Sequence, residues 1–239
     1  MQENNNPRMG LRDGIPICLG YLSVAFAFGI MATSSGLSVL EAVLISALNV
    51  TSAGQLAAVP IIAAGGGFLE LGLTQLIINL RYALMSVSLS QKMGESVRLG
   101  DRFAIAFVNT DEVFAVASSH KGTVGRKYLY SLIVTPFFGW TVGTLIGAVA
   151  GNVLPAVVVS ALGIAIYAMF VAIVIPAARS DKSTALCAAF SMVLSCVFYF
   201  APVLNRVSSG FVVIICSVVA SAVFAFVAPI PDEEVSVDA

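Results

Sequence analysis

The sequence predicts an all-α membrane protein that crosses the bilayer about six to eight times, with one or two broken or re-entrant elements. Hydrophobic residues make up 59% of the 239 residues, and charged residues make up only 10%. A soluble domain is about one-quarter charged, so this chain lacks the polar surface to stay dissolved. The sequence also contains no metal-ligand cluster, phosphate-binding loop or nucleophile motif. We therefore predict neither an enzyme nor a bound cofactor.

Three regions follow from the distribution of charge. Residues 1–14 form a polar segment, residues 15–228 form the membrane domain, and residues 229–239 form an acidic tail. The first apolar run is too long for the core of a typical signal peptide, so it is expected to remain as the first span. Apolar runs of spanning length lie at 15–33, 128–150, 156–178, 185–203 and 210–228.

The stretch between residues 39 and 118 is less regular, and its topology depends on where the basic residues lie. Basic loops favour the cytoplasmic side. Keeping them all there requires that 68–90 crosses, that 41–64 enters and leaves on one face, and that 103–118 does the same or lies along the surface. The alternative has eight crossings, with Lys92, Arg98 and Arg102 outside. Both termini are expected to be cytoplasmic. The basic clusters are Arg8/Arg12, Lys92/Arg98/Arg102, Lys121/Arg126/Lys127 and Arg179/Lys182.

The segment NVTSAGQ (49–55) is predicted to interrupt a helix. Its residues are mostly poor helix formers, and unwound backbone is tolerated within a membrane only where protein or a water-filled cavity satisfies it. Such breaks are where transporters bind substrate. The alternative is an intact helix whose polar side chains bond to neighbouring helices. The candidate binding residues are Asn49, Thr51, Ser52, Gly54 and Gln55.

An arginine, Arg81, stands in the middle of the apolar run QLIINLRYALMSVS. Its charge costs at least a few kcal/mol at the centre of a bilayer, so something must offset that cost. Polar residues that include Asn79 and Tyr82 recur at helical spacing on the same segment. We expect this helix to lie inside the bundle and to line a cavity. The alternative role for Arg81 is a structural clamp.

The segment NTDE (109–112) places two acids between apolar stretches. Either Asp111 or Glu112 is a natural counter-ion for Arg81, and either could carry a proton or hold a substrate ammonium. Nearby, His120 stands in a polar loop and is expected at the surface.

Four glycines, Gly139, Gly143, Gly147 and Gly151, recur at four-residue spacing. On a helix they form a smooth groove that lets another backbone approach closely. The partner helix could belong to this chain or to another one.

Taken together, these motifs resemble the AzlC-type branched-chain amino acid permease family. The resemblance runs from about residue 14 to residue 228. In one departure, Gly163 and Ile164 stand where the family usually has an Asp-Phe pair. The matching segments are GIPICLGYLSVAFAFGI, TSAGQ, NLRYALMS, NTDEVFAV and the stretch beginning at Trp140.

This resemblance implies a secondary transporter that exports small aliphatic amino acids across the bacterial cytoplasmic membrane. It also implies coupling to the proton motive force and a small hydrophobic AzlD-type partner subunit, with no role for nucleic acid. The opened backbone around Ser52 to Gln55 and the charge of Arg81 would bind the substrate carboxylate, and Asn79 and Tyr82 are further substrate-binding candidates. Asp111 or Glu112 would take the ammonium or a proton. The alternatives are a channel-like or structural membrane subunit, or a membrane-embedded enzyme.

Overall fold

The computed structural model describes residues 3–151, 153–155, 157, 171, 174–176, 178–179 and 181–228. Within these residues the chain is helical, as predicted. It divides into two compact units, Met1–Met169 and Phe170–Ala239. The first unit contains α1 (Pro7–Ser34), α2 (Val39–Leu48), α3 (Ser52–Ala63), α4 (Phe68–Lys92), α5 (Leu99–Phe107), α6 (Asp111–Ser119) and α7 (Arg126–Gly151). The second contains α8 (Lys182–Phe200), a 3-10 turn (Leu204–Arg206) and α9 (Ser209–Val227).

Among the described residues, four helices are long and apolar enough to cross a membrane: α1, α7, α8 and α9. They confirm the spans predicted at 15–33, 128–150, 185–203 and 210–228. Helix α1 begins already at Pro7, within the segment 1–14 that was predicted to precede the membrane domain. The predicted span 156–178 lies mostly outside the described residues, as do the departure at 163–164 and the acidic tail. Helix α4 has 25 residues but is less apolar, because it carries the polar residues around Arg81.

Helices α1 and α7 form the centre of the first unit. A Cβ atom added at Gly143 would lie only 2.6 Å from the carbonyl oxygen of Leu22, so the backbones meet closely at this position. Residue numbers increase in the same direction along both helices in the facing pairs, so the two helices run parallel. The partner of the glycine groove is therefore a helix of the same chain. The facing pairs are Gly139 with Cys18, Gly143 with Leu22, Gly147 with Phe26, and Gly151 with Ile30 and Thr33.

Because α1 and α7 are parallel, their N-termini lie at one end of the first unit. We call this the basic end, since it carries Arg8, Arg12, Arg126 and Lys127. Helix α4 finishes there too: the Val124 N–H donates to the Lys92 carbonyl at 2.9 Å. The structure thus brings three basic clusters to one end, which favours the six-crossing topology over the eight-crossing alternative.

Helices α2 and α3 form a re-entrant pair that enters from the opposite end. Ala42 of α2 and Val59 of α3 pack in one cluster with Ala32, near the C-terminus of α1. Between them, Val50 packs in the cluster that contains Tyr21, near the midpoint of α1. The segment therefore reaches the middle of the unit and returns, as predicted for 41–64.

Helices α5 and α6 form a second re-entrant pair, which enters from the basic end. At the start of α5, Asp101 Oδ1 pairs with Arg126 Nε at 2.9 Å. At the break, Thr110 contacts Tyr21 near the midpoint of α1. Helix α6 then returns to His120, whose ring contacts Asp13. The two breaks thus approach the middle of the unit from opposite ends.

His120 is less exposed than expected for a surface loop. Its side chain is only 16% exposed, and its Nε2 lies 2.6 Å from the Tyr128 hydroxyl and 3.2 Å from Asp13 Oδ2. Because α6 folds back toward the first turns of α1 and α7, the His120 ring contacts a side chain from each of these helices, while its neighbours Ser119 and Lys121 stay exposed.

The second unit is a helix pair. Rings of Phe190 on α8 and Phe224 on α9 lie 6.1 Å apart between centroids. Helix α8 begins at an N-cap, where the Asp181 carboxylate accepts hydrogen bonds from the Ser183 and Thr184 backbones. A carboxylate at this position satisfies N–H groups that have no partner within the helix.

Candidate functional site

The first break separates α2 from α3 at residues 49–51. Helix α2 ends at Leu48, and the backbone of Thr51 is extended, with φ −147° and ψ 115°. The Thr51 hydroxyl then accepts from the Gly54 N–H at 3.4 Å and caps α3. The helix is therefore interrupted, and the intact-helix alternative is wrong.

Polar side chains of α4 form hydrogen bonds with residues at this break and with each other, and Gln75 takes part in three of these bonds. Its Oε1 accepts from Asn49 Nδ2 at 3.1 Å and from Asn79 Nδ2 at 3.2 Å. Its Nε2 donates to the Gly54 carbonyl at 2.8 Å. Gln75 was not among the predicted site residues, although it shares their polar stripe. That stripe was the signal that could have identified it.

The other candidates from the NVTSAGQ segment point elsewhere. Gln55 is fully buried, and its Nε2 donates to Ser46 Oγ at 2.8 Å, which in turn lies 2.6 Å from Thr144 Oγ1. This chain of contacts joins α3, α2 and α7, on the side away from α4. Ser52 lines a small cavity together with Gln55 and Trp140 on that same side. The structure therefore separates Ser52 and Gln55 from Arg81.

The second break separates α5 from α6 at residues 108–110, and the Arg81 side chain extends to it. Its Nη1 lies 2.9 Å from Asp111 Oδ2, and the two side chains are 49% and 45% exposed. Its Nη2 donates to the Tyr82 hydroxyl at 3.2 Å, and that hydroxyl lies 3.4 Å from Thr51 Oγ1. The guanidinium group therefore joins both breaks, through Asp111 on one side and through Tyr82 and Thr51 on the other.

Glu112 has a different partner from Asp111. The Tyr21 hydroxyl donates a short hydrogen bond to Glu112 Oε2, and its oxygen lies 2.6 Å from Thr110 Oγ1. The ring of Tyr21 also packs edge-on against Trp140, with centroids 5.1 Å apart. The structure thus separates the two acids, which the sequence left interchangeable. The sequence reasoning missed Tyr21, and its only signal was a phenol within an apolar span, where a buried hydroxyl needs a partner.

The N-terminal ends of two helices contribute to the electrostatic field at this site. Helices α3 and α6 both begin near the middle of the unit, and helix N-termini carry partial positive charge. Asp111 and Glu112 occupy the first turn of α6, where acids are favoured for that reason. The full positive charge of Arg81 stands beside Asp111.

Helix α4 is less enclosed than its two polar lines suggested. Its polar side contacts both breaks, whereas Leu76, Leu80, Leu84 and Val87 are exposed in the first unit. The four glycines lie at the α1–α7 contact and not among the charges. Within the described residues, no group of three or more His, Cys, Asp or Glu side chains could hold a metal ion.

Comparison with known proteins identifies the family. A family model described as AzlC protein matches residues 16–154. The chain is 31% identical over 233 residues to the inner membrane protein YgaZ of Escherichia coli (strain K12), covering 94% of this chain and 93% of that protein. It is 33% identical over 171 residues to an uncharacterized membrane protein of Archaeoglobus fulgidus, covering 71% and 74%. No solved structure matches. The chain is therefore a membrane protein of the AzlC family.

Proposed function

We propose that this protein is a secondary transporter that exports branched-chain and other small aliphatic amino acids across the bacterial cytoplasmic membrane. The export would be driven by the proton motive force and would require a small hydrophobic AzlD-type subunit. The observation that carries this proposal is the ion pair between Arg81 and Asp111, which stands where two broken helices meet. An intramembrane ion pair of this kind marks a substrate or proton path by default.

The pair has the two charges that a zwitterion needs. A substrate carboxylate would take the place of Asp111 on Arg81, since a guanidinium binds carboxylates through paired hydrogen bonds. The substrate ammonium would then pair with the released Asp111 carboxylate. One ion pair becomes two, and no charge is left without a partner. The substrate would thus insert into the Arg81–Asp111 pair.

Glu112 is the residue we assign to the coupling proton. Arg81 forms its ion pair with Asp111, whereas the Glu112 carboxylate is held by Tyr21 from α1. A carboxylate separate from the substrate-binding pair can gain and lose a proton without competing for the zwitterion. Tyr21 is then a positioning residue, because it acts on the reaction only through Glu112.

The basic end is assigned to the cytoplasm, because Lys and Arg in short loops favour that side. This orientation places the N-terminus inside the cell. It also means that a cytoplasmic substrate first meets the α5–α6 pair, which contains the second break.

Efflux of labelled leucine from proteoliposomes tests the proposal, with and without the small partner subunit. We expect saturable, proton-dependent efflux from the parent, loss of efflux in Arg81→Leu, and normal efflux in Arg8→Leu. The control removes an exposed arginine at the basic end, outside the site. Normal efflux from a well-inserted Arg81→Leu variant would refute the site, and flux that rises linearly with concentration would indicate a channel.

A further inference from the structure

A cavity of about 290 Å³ lies between α4 and α5, outside the site described above. It is close to the size at which small-molecule pockets begin, about 300 Å³. Its walls are mostly apolar, and polar side chains stand at its two ends. Residues that line it include Ser86, Ser90, Arg102, Phe103, Ala106 and Asn109.

The inner end of the cavity carries an unused hydrogen-bond acceptor. Asn109 is only 3% exposed, and its Nδ2 donates to Ser86 Oγ at 3.2 Å. Its Oδ1 is buried and has no hydrogen-bond partner within the described part of the chain. Asn109 lines the cavity, and buried polar atoms are nearly always paired, so a donor that enters the cavity could satisfy this oxygen. An ammonium group is such a donor.

The outer end carries a cation. Arg102 belongs to the first turn of α5, at the basic end, and its Nη1 donates to the Ser90 carbonyl at 3.2 Å. This contact holds the guanidinium at the rim. A carboxylate approaching from the basic end would be attracted to it, whereas the apolar walls beyond would favour an aliphatic side chain.

The cavity ends at the break that forms the candidate site. Asn109 and Asp111 are two residues apart on that break, and Asp111 pairs with Arg81. Resting on the proposed function, we propose that this cavity is the vestibule through which an amino acid with an aliphatic side chain reaches the Arg81–Asp111 pair from the basic end. Arg102 receives the carboxylate, Phe103 and its neighbours cover the side chain, and Asn109 Oδ1 accepts from the ammonium. The zwitterion passes these groups in sequence, because Arg102 lies in the first turn of α5 and Asn109 lies beyond its C-terminal end, about 10 Å further along the helix axis at 1.5 Å per residue, which is too far to hold one α-amino acid at both groups.

Filling the cavity tests this assignment. Ala106→Trp places an indole in the vestibule, and Ala104→Trp is the matched control, because Ala104 lies on the same helix and does not line the cavity. We expect leucine efflux to fall at least tenfold in Ala106→Trp and to stay within twofold of the parent in Ala104→Trp. Equal efflux from both variants would overturn the proposal.

Thiol labelling keeps the proposal testable if Ala106→Trp fails to insert. In a background without the native cysteines, Ser90→Cys places a thiol on the vestibule wall, and Ser119→Cys places one on an exposed residue at the end of α6. We expect leucine to slow the reaction of a charged thiol reagent with Ser90→Cys several-fold, and to leave Ser119→Cys unaffected. No protection at Ser90→Cys would overturn the proposal.

Two further outcomes are informative. If only a lipid-soluble maleimide reaches Ser90→Cys, the cavity opens to the bilayer, and the vestibule is refuted even though export continues. If the parent exports no leucine and leucine gives no protection, the proposed function fails together with the vestibule. Parent export without protection refutes the vestibule alone.

Discussion

Replacing Arg81 by leucine separates a binding role from a structural one. The Arg81–Asp111 pair is about half exposed, with a 2.9 Å separation between Nη1 and Oδ2. Because the proposed substrate path would hydrate this half-exposed pair, the pair contributes about 0–1 kcal/mol to stability, and its loss should lower the free energy of unfolding by about 1 kcal/mol or less. The effect on the substrate should be larger. A hydrogen bond to a charged group is worth about 1.5–3 kcal/mol, which corresponds to a roughly 10- to 150-fold loss of leucine affinity.

Two assays read these quantities separately. Calorimetric titration of the purified protein gives the leucine affinity, and thermal unfolding in the same detergent gives the stability. Arg81→Lys is the companion variant, because it keeps the charge and loses the planar paired hydrogen bonds, and it should fall between the parent and Arg81→Leu. A stability loss of several kcal/mol with unchanged leucine affinity would show that Arg81 is a clamp and would refute the binding role.

Three other variants test neighbouring parts of the account. Tyr21→Phe removes the hydroxyl that positions the Glu112 carboxylate, so proton-driven efflux should fall with little change in leucine affinity; unchanged proton-driven efflux would contradict the role of Tyr21. Gly143→Leu adds atoms where a Cβ alone would lie 2.6 Å from the Leu22 carbonyl oxygen, so α1 and α7 should fail to pack and little folded protein should reach the membrane; normal assembly would show that the close contact is dispensable. Glu95→Cys should react with a membrane-impermeant thiol reagent only from the cytoplasmic side. Labelling from outside would show that the basic end faces the exterior of the cell.

Composition and local pattern were sufficient to predict the class and four of the spanning helices. The predicted spans rest on runs of apolar residues, which are local in the sequence. The break before α3 follows from local propensity at Asn49 and Thr51. The re-entrant course of 41–64 and 103–118 needed one further argument, the placement of basic residues on one side.

Contacts between distant segments were not predictable in the same way. Tyr21 and Glu112 are 91 positions apart, and their hydrogen bond depends on how α6 folds back against α1. The partner of the glycine groove depends likewise on α1 and α7 lying parallel, which spacing within α7 alone does not specify. Asp111 and Glu112 are adjacent in sequence and equivalent in chemistry, so only their directions on the first turn of α6 distinguish them.

Gln55 illustrates the opposite error. Its place in a broken helix suggested a ligand, because polar residues at such breaks often bind substrate. In the structure it follows α3 away from the break and bonds to Ser46. The sequence correctly predicted that Gln55 belongs to the interrupted helix. It could not predict the direction of the side chain, which depends on the rotation of α3 about its axis.

Binding of leucine and of its two one-charge analogues tests the insertion of the zwitterion most directly. Leucinamide keeps the ammonium and lacks the carboxylate, whereas 4-methylpentanoate keeps the carboxylate and lacks the ammonium. We expect the parent to bind leucine and to bind both analogues at least tenfold more weakly, and we expect Asp111→Asn to bind 4-methylpentanoate more tightly than the parent does, because the competing carboxylate is gone. Leucinamide binding as tight as leucine binding, or no gain for 4-methylpentanoate in Asp111→Asn, would contradict the account.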